Sequence, residues 1–309
     1  MEYSEISRAG FSVSRLTLGT VEFGLGYGIG KPGSSSRPSA QEAEDIVRSA
    51  VEHGINLFDT APAYGESEVL LGKILAGIAC DNLYVATKVG PFADVTISSS
   101  EVRLSLERSL TNLQREKLDL VQIHNATYEQ LYRSPLMNIL AEARQCGQVG
   151  AIGASVYGVD AALAAIDHPD IATIQVAYNL LDQRMADTVL PLAKKRGIAV
   201  LARSVFLKGV LTSRRYHLPE RLSGLKDLAD KAESWTQTYG LDLPEAALRF
   251  CLSNKAVGSV LVGVSSTKEL LSALIAMGRG ALPTEMCATA ENLAGNNDLL
   301  IDPRFWGID

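Results

Sequence analysis

The chain alternates eight times between short apolar segments typical of buried β-strands and longer segments with helical spacing. Strand candidates lie near residues 16, 56, 85, 121, 151, 174, 200 and 260, and a helical segment follows each of them. Repeated βα units require a parallel sheet, and eight of them in 309 residues predict an α/β fold, a (β/α)8 TIM barrel. We also expect an N-terminal β-hairpin around Phe11 and Val13 and extra C-terminal helices, including one near Pro283 to Leu293. The predicted organisation is one domain over residues 1–309.

A doubly wound open sheet is the alternative that the same alternation permits. Such a sheet usually has a glycine-rich phosphate-binding turn between its first strand and first helix. Glycines do occur at Gly24–Gly30, but they lie in a long predicted loop, Glu22–Ser39, and the first helix begins only after it. The pattern therefore favours the barrel. Helix starts are marked by three predicted capping boxes: Ser39 with Glu42, Ser98 with Glu101, and Ser266 with Glu269.

Composition and charge argue against several classes of protein. The net charge of −6 is unlike that of nucleic-acid-binding proteins, which usually carry a basic face. The four cysteines lack metal-ligand spacing, so we expect reduced thiols in a reducing compartment. The N-terminus lacks a signal-peptide pattern, and no apolar stretch is long enough to span a membrane. The expectation is a cytoplasmic protein that binds no nucleic acid, membrane or metal. No sequence signal indicates a particular oligomeric state.

Four polar residues are predicted to meet at one end of the barrel. Asp59, Lys88 and His124 stand at the ends of the second, third and fourth strand candidates, and Tyr64 lies in the loop after the second. The carboxyl ends of barrel strands share one face, where such barrels place their active sites. Each residue alone has an ordinary structural interpretation, as a turn cap, a solvated cation or a satisfied histidine. Their convergence from neighbouring strands favours catalysis.

The chemistry of this group suits a proton donor. A free tyrosine has a pKa of about 10, and a cation about 4 Å away stabilises its phenolate. Lys88 is the candidate cation, Asp59 its counter-ion in a buried site, and His124 a donor or relay for the same proton. A metal-dependent hydrolase would need clustered histidines and carboxylates, and only one of the four histidines falls at a strand end. The set is therefore interpreted as a proton donor opposite a hydride carrier.

Three motifs in this order, FDTAPAYG (58–65), ATK (86–88) and DLVQIH (119–124), resemble the Asp, Tyr, Lys and His segments of the aldo-keto reductase family. The resemblance extends over nearly the whole chain. It implies a barrel that binds an extended NADP(H) and reduces aldehydes or ketones, or oxidises the corresponding alcohol or sugar. In that family pattern Tyr64 is the proton donor, Lys88 and Asp59 tune it, and His124 orients the carbonyl.

The resemblance also implies a cofactor site, with departures from the family pattern. Val156 replaces the usual asparagine, and Arg203 replaces the usual aromatic residue under the nicotinamide. Val264 and Leu270 stand where many members have Lys and Arg, so a 2′-phosphate would be held more weakly. NADP(H) remains the first expectation because of the family resemblance, and NAD(H) is the alternative. The implied cofactor-binding residues are Thr20, Asp59, Ser155, Gln175, Arg203, Ser204, Leu207, Gly209, Gly263, Ser265, Ser266 and Lys268.

Substrate residues are less constrained, because loops on this fold vary freely with the substrate. The candidates for binding a small carbonyl compound or sugar are Tyr27, Phe92, Asn125, Phe206 and Trp306. Trp306 has an alternative interpretation, in which the C-terminal tail simply packs on the barrel. The alternative function is a nucleotide-sensing subunit of a larger complex, with slow or vestigial turnover. The intact tetrad favours an enzyme.

Overall fold

The computed structural model describes residues 1–30, 37–92, 97–295 and 297–308. Eight parallel strands of this described chain close into a barrel, in which the last strand pairs with the first. An antiparallel hairpin precedes the barrel, so the predicted (β/α)8 fold with its N-terminal hairpin is confirmed. The strands are β1 (Tyr3–Ile6) and β2 (Phe11–Ser14) in the hairpin, then β3 (Leu16–Gly19), β4 (Leu57–Asp59), β5 (Tyr84–Val89), β6 (Leu118–Ile123), β7 (Val149–Ser155), β8 (Ile171–Ala177), β9 (Ala199–Arg203) and β10 (Val257–Gly263) in the barrel.

Helices surround the barrel and follow the strands in sequence. Two short helices near the C-terminus, Thr284–Ala290 and Asp298–Ile301, are the predicted extra helices. The helices are α1 (Val21–Gly24), α2 (Ala40–Glu52), α3 (Ser67–Ala76), α4 (Ser99–Leu113), α5 (Tyr128–Tyr132), α6 (Leu136–Gln145), α7 (Val159–Asp167), α8 (Val189–Arg196), α9 (Ser223–Gln237), α10 (Leu243–Ser253), α11 (Thr267–Gly278), α12 (Thr284–Ala290) and α13 (Asp298–Ile301). Among the described residues, no helix is long and apolar enough to cross a membrane.

The hairpin covers the N-terminal end of the barrel. Ser14 donates its backbone N–H to Asn56 Oδ1 at 2.7 Å, just before β4 begins. Ile6 and Val13 are buried against inward-facing barrel residues that include Leu57 and Leu120. Apolar side chains thus close this end, and the polar strand ends are left at the opposite, C-terminal face.

The helix caps agree with the sequence pattern at two of the three predicted boxes. Ser39 and Glu42 form a complete box at α2, and Ser98 and Glu101 form another at α4. At α11 only half of the box forms: Ser266 accepts the N–H of Glu269, but the carboxylate of Glu269 bonds Ser265 instead. This carboxylate lies at the rim of the cleft described below, where other partners compete for it.

Two loops contain more structure than the sequence indicates. The stretch predicted as a loop over Glu22–Ser39 begins with α1, and residues 31–36 of it lie outside the described part. The loop after β9 contains short 3₁₀ turns at Leu207–Gly209 and Ser213–His217. Single turns of this kind have too few residues to show an apolar period, so a sequence pattern does not reveal them.

Candidate active site

Asp59 and Lys88 form a buried ion pair at the C-terminal ends of β4 and β5. Lys88 Nζ lies 2.7 Å from Asp59 Oδ1 and donates to the carbonyl oxygen of Thr60 at 2.8 Å. The other carboxylate oxygen, Oδ2, accepts from the side-chain amides of Gln122 at 3.2 Å and Gln175 at 2.7 Å. A buried charge is tolerated when it is paired and hydrogen-bonded in this way. The network fixes the position of the ammonium group.

Tyr64 and His124 lie next to this pair, so the structure brings all four predicted tetrad residues together. Lys88 Nζ is 4.8 Å from the centroid of the Tyr64 ring. The ring centroids of Tyr64 and His124 are 5.9 Å apart and their planes are at 89°, an edge-to-face contact. Parallel pairing sets this arrangement, because Asp59 lies beside Ala86 of β5, and Lys88 lies beside Gln122 of β6.

The pKa of Tyr64 moves opposite to the expectation from the sequence. Burial, followed by the negative charge of Asp59, raises the pKa of the Tyr64 phenol, and Arg203 acts in the opposite direction. The expected lowering by Lys88 does not prevail, because burial and the negative charge of Asp59, which is the partner closest to that ammonium, outweigh it. The phenol therefore holds its proton at neutral pH, as a proton donor must.

His124 is expected to remain neutral across the physiological pH range. Burial, and then the positive charges of Lys88 and Arg203, lower its pKa to about 3. We therefore expect its ring signals in NMR to be flat between about pH 5 and 8, whereas a model-peptide histidine titrates near 6.5. The control is the replacement of Lys88 with methionine. It removes one of these charges and should raise the pKa of His124. A His124 signal that titrates near 6.5 in the wild type would contradict this electrostatic account.

An elongated cleft of about 690 Å³ extends from the tetrad along the C-terminal face to α11. Asp59 and Tyr64 lie at one end of it, and Ser272 and Ala276 of α11 lie at the other. An extended ligand of dinucleotide size is what such a shape accommodates. The predicted cofactor residues that line the cleft are Thr20, Asp59, Gln175, Arg203, Ser204, Gly209, Gly263, Ser266 and Lys268.

The other three predicted cofactor residues lie outside the cleft lining. Ser155 is buried and donates to Gln175 Oε1 at 3.4 Å, so it supports a lining residue from behind. Leu207 is buried in the core. Ser265 donates its backbone N–H and its hydroxyl to Glu269 Oε2, at 2.8 and 3.1 Å. Their assignment to the cofactor site stays a prediction.

Arg203 is a cation of the cleft with no carboxylate partner among the residues that the structure describes. Its guanidinium lies 4.1 Å from the centroid of the Tyr157 ring and donates to the carbonyl oxygen of Val156 and to Ser204 Oγ, each at 3.2 Å. The Val156 position, where the family pattern has asparagine, thus contributes its backbone oxygen. Arg203 leaves positive charge near both Tyr64 and His124.

Sequence reasoning missed several charged residues that line the cleft, among them Glu22, Arg214 and Glu269. Arg214 Nη2 lies 3.1 Å from Glu269 Oε1 and donates to Ser265 Oγ at 3.3 Å. Glu22 is on α1, directly after the end of β3, and its side chain is buried. Its place just after a barrel strand was the available signal, but the glycine-rich stretch that follows suggested an ordinary loop.

Three of the five predicted substrate residues line a cavity, and two do not. Tyr27 and Phe206 line the cleft, and Asn125 lines a second cavity that also contains Tyr157 and Arg304. Phe92 and Trp306 line neither cavity. Trp306 is 1% exposed and donates Nε1–H to the carbonyl oxygen of Leu300 at 2.9 Å, so it packs the tail on the barrel. Phe92 is half-buried, and its carbonyl oxygen accepts from the Gln130 side chain at 3.2 Å.

The described residues contain no group of His, Cys, Asp and Glu side chains that could hold a metal ion. The fold and the site instead define a barrel oxidoreductase, in which a tyrosine, a lysine, an aspartate and a histidine stand at one end of a cleft of dinucleotide size. The model of the aldo/keto reductase family matches residues 15–294. The chain belongs to this family and is a nicotinamide-dependent carbonyl oxidoreductase.

Relatives of known name agree with this class. L-galactose dehydrogenase of Arabidopsis thaliana is 31% identical over 264 residues, which cover 80% of this chain and 81% of the relative. D-arabinose 1-dehydrogenase of Saccharomyces cerevisiae is 29% identical over 287 residues, which cover 85% and 82%. The holo form of an aldo-keto reductase from Bacillus halodurans has a TM-score of 0.79 at 24% identity, with 99% of both chains covered, and supports the fold.

Proposed function

We propose that this protein oxidises the C1 hydroxyl of an aldose lactol to the carbonyl group of the lactone, or in the opposite direction reduces a polar carbonyl compound to its alcohol, with Tyr64 as the proton acceptor and donor. The observation that carries the proposal is the position of Tyr64. Its ring lies near both Lys88 and His124 and lines a cleft of dinucleotide size. A proton donor at the end of such a cleft is where carbonyl reduction requires one.

The cofactor, when bound, supplies or accepts the hydride and with it both electrons. In the reducing direction, the Tyr64 hydroxyl gives its proton to the substrate oxygen and is left as phenolate. The ammonium of Lys88 and the guanidinium of Arg203 stabilise that charge. His124 is neutral, so it binds the substrate oxygen through a hydrogen bond and its own protonation state does not change. In the oxidising direction, the phenolate accepts the hydroxyl proton of the alcohol or lactol.

A sugar suits the neighbouring surface. The cavity beside the tetrad contains polar groups of Asn125, Thr127, Tyr157 and Arg304, which can bond several hydroxyl groups. Two of the relatives are named for sugars, L-galactose and D-arabinose. A large apolar substrate would instead need an apolar wall. These points favour a polyhydroxylated substrate.

The charges of the cleft favour NAD(H) at least as much as NADP(H), although the family resemblance puts NADP(H) first. A 2′-phosphate needs a cation, preferably an arginine with free donors. Arg214 is paired with Glu269, and Arg279 is paired with Glu245. Val264 and Leu270, at the positions that are basic in many members, are buried. Lys268 is exposed at the rim and is the remaining basic residue among the predicted cofactor positions of α11.

The test is a coupled set of binding and turnover measurements. Reduction of NAD+ and NADP+ is followed in parallel with a panel of aldoses, simple alcohols and steroid alcohols, and the affinity of each dinucleotide is measured by fluorescence. We expect turnover with aldoses and NAD+ affinity at least equal to that for NADP+. Turnover with apolar alcohols alone would contradict the sugar assignment. Tight dinucleotide binding with no turnover on any compound would favour the nucleotide-sensing alternative instead.

A further inference from the structure

Glu22 presents a buried carboxyl group to the cleft without a full set of partners. It is 6% exposed and lines the cleft, and its Oε2 has no hydrogen-bond partner within the described part of the chain. An unpartnered buried carboxylate costs several kcal/mol, so such groups usually meet a ligand or keep a proton. The orphaned oxygen therefore marks a place where a bound molecule can complete the hydrogen bonding.

The chain makes room for this carboxyl group at Gly263, the last residue of β10. A Cβ at residue 263 would lie 2.6 Å from both Glu22 Oε1 and Oε2, closer than real contacts allow. Gly263 also lines the cleft and pairs with Gly19 of β3. Gly263 thus leaves the carboxyl group seated against bare backbone, with the cleft on its open side.

Several charged or titratable groups face Glu22. Burial raises the pKa of Glu22 to about 7, and Glu269 adds to this, whereas its own backbone N–H and Arg214 act in the opposite direction. Across the cleft, the phenols of Tyr27 and Tyr64 also interact with its charge. Near neutral pH the group therefore exists both as an acid and as a carboxylate, and a nearby charge shifts the balance.

We propose that Glu22 is a cofactor-binding residue that acts in its protonated form, donating a hydrogen bond to an anionic oxygen of the dinucleotide, so that dinucleotide binding takes up a proton. The inference rests on the proposed function, in which this cleft binds the dinucleotide. The pyrophosphate is anionic, and an adjacent carboxylate would repel it. A protonated carboxyl group removes the repulsion and supplies a donor.

The linkage has a definite sign. Below pH 7 the free protein already holds the proton, and affinity is independent of this group. Above pH 7 the proton must be taken up on binding, so affinity falls by up to about tenfold per pH unit. At pH 7.5 a group with a pKa of about 7 is about one-quarter protonated, so binding should take up about 0.75 proton per site.

Titration calorimetry of the full chain with NADH at pH 7.5, in phosphate and in Tris, measures this proton directly, because the two buffers differ in ionisation enthalpy. NADH is chosen because its diester phosphates do not titrate in this range. We expect uptake of about 0.75 proton in the wild type, almost none in Glu22→Gln, and wild-type uptake in the control Glu142→Gln, because Glu142 is an exposed residue of α6 that lines neither cavity. The amide mimics the neutral acid, so Glu22→Gln should also retain at pH 8.5 the affinity that the wild type loses.

The outcomes separate the two proposals. If no binding heat is seen with NADH or NADPH, the proposed function fails. If NADH binds without proton uptake, or Glu22→Gln retains the uptake, the dinucleotide site stands and the role of Glu22 is refuted. If the variant does not fold, the wild-type dependence of NADH affinity on pH from 6 to 9 decides. A flat profile overturns the proposal, and a fall above pH 7 supports it.

Discussion

Replacing Tyr64 with phenylalanine is expected to lower kcat by a factor of about 10² to 10⁴, the usual contribution of a positioned general acid. The substitution removes only the hydroxyl group. The phenyl ring keeps its packing against Lys88 and its edge-to-face contact with His124. Dinucleotide affinity should therefore stay unchanged, because the rest of the cleft lining is intact. Steady-state kinetics with the best aldose, together with fluorescence titration of the cofactor, measure both quantities.

The matched control is Tyr84→Phe, since Tyr84 stacks on Phe11 of the hairpin at 4.3 Å, at the opposite end of the barrel. Loss of that hydroxyl should leave kcat as it is in the wild type. If the Tyr64→Phe variant kept the kcat of the wild type, another group would have to donate the proton to the substrate. A variant that loses both turnover and cofactor binding would show that the phenol is structural.

The barrel could be predicted because its strands are marked in the sequence independently of one another. Each short apolar run, such as 118–123, precedes a helical segment, and eight such units have one common architecture. The tetrad followed from the same argument. In a parallel barrel the last residues of all strands share a face, so Asp59, Lys88 and His124 had to converge.

The features of the site that the sequence did not reveal depend on distances between strands. The direction of the Tyr64 pKa shift is decided first by burial of the phenol and then by the charge of Asp59, and spacing along the chain reveals neither. Gln122 was missed although it is a polar residue inside a buried strand. Its amide bonds Asp59 across the barrel interior, a contact between residues 63 positions apart.

Glu22 was missed for a related reason. A glutamate in a glycine-rich stretch is usually solvated, and its burial here depends on Gly263, about 240 residues away in sequence. The resemblance to a family also does not reveal it, since Glu22 belongs to none of the motifs that carry the resemblance. A charged residue of this kind is found only when the cleft can be traced in three dimensions.

Replacing Lys88 with methionine is expected to destabilise the fold by about 3 to 5 kcal/mol, the usual cost of removing one partner of a buried ion pair. Asp59 would keep only the amide donors of Gln122 and Gln175 for a full negative charge. Methionine matches the length of the lysine stem, so the loss of packing is small. The free energy of unfolding from urea titrations at pH 7 measures the effect.

The cause of that loss can be isolated with the double variant Lys88→Met/Asp59→Asn. It leaves no unpaired charge at the centre of the barrel end, and the asparagine can still bond Gln122 and Gln175. If the cost of Lys88→Met comes from the stranded carboxylate, the double variant should be more stable than the single one. If the destabilisation of the double variant instead equals the sum of the effects of the two single substitutions, the loss comes from packing. Catalysis should stay low in both variants, because each lacks the ammonium that stabilises the Tyr64 phenolate. The Lys88–Asp59 ion pair would then serve chiefly to place a cation beside the proton donor, and it would add little net stability.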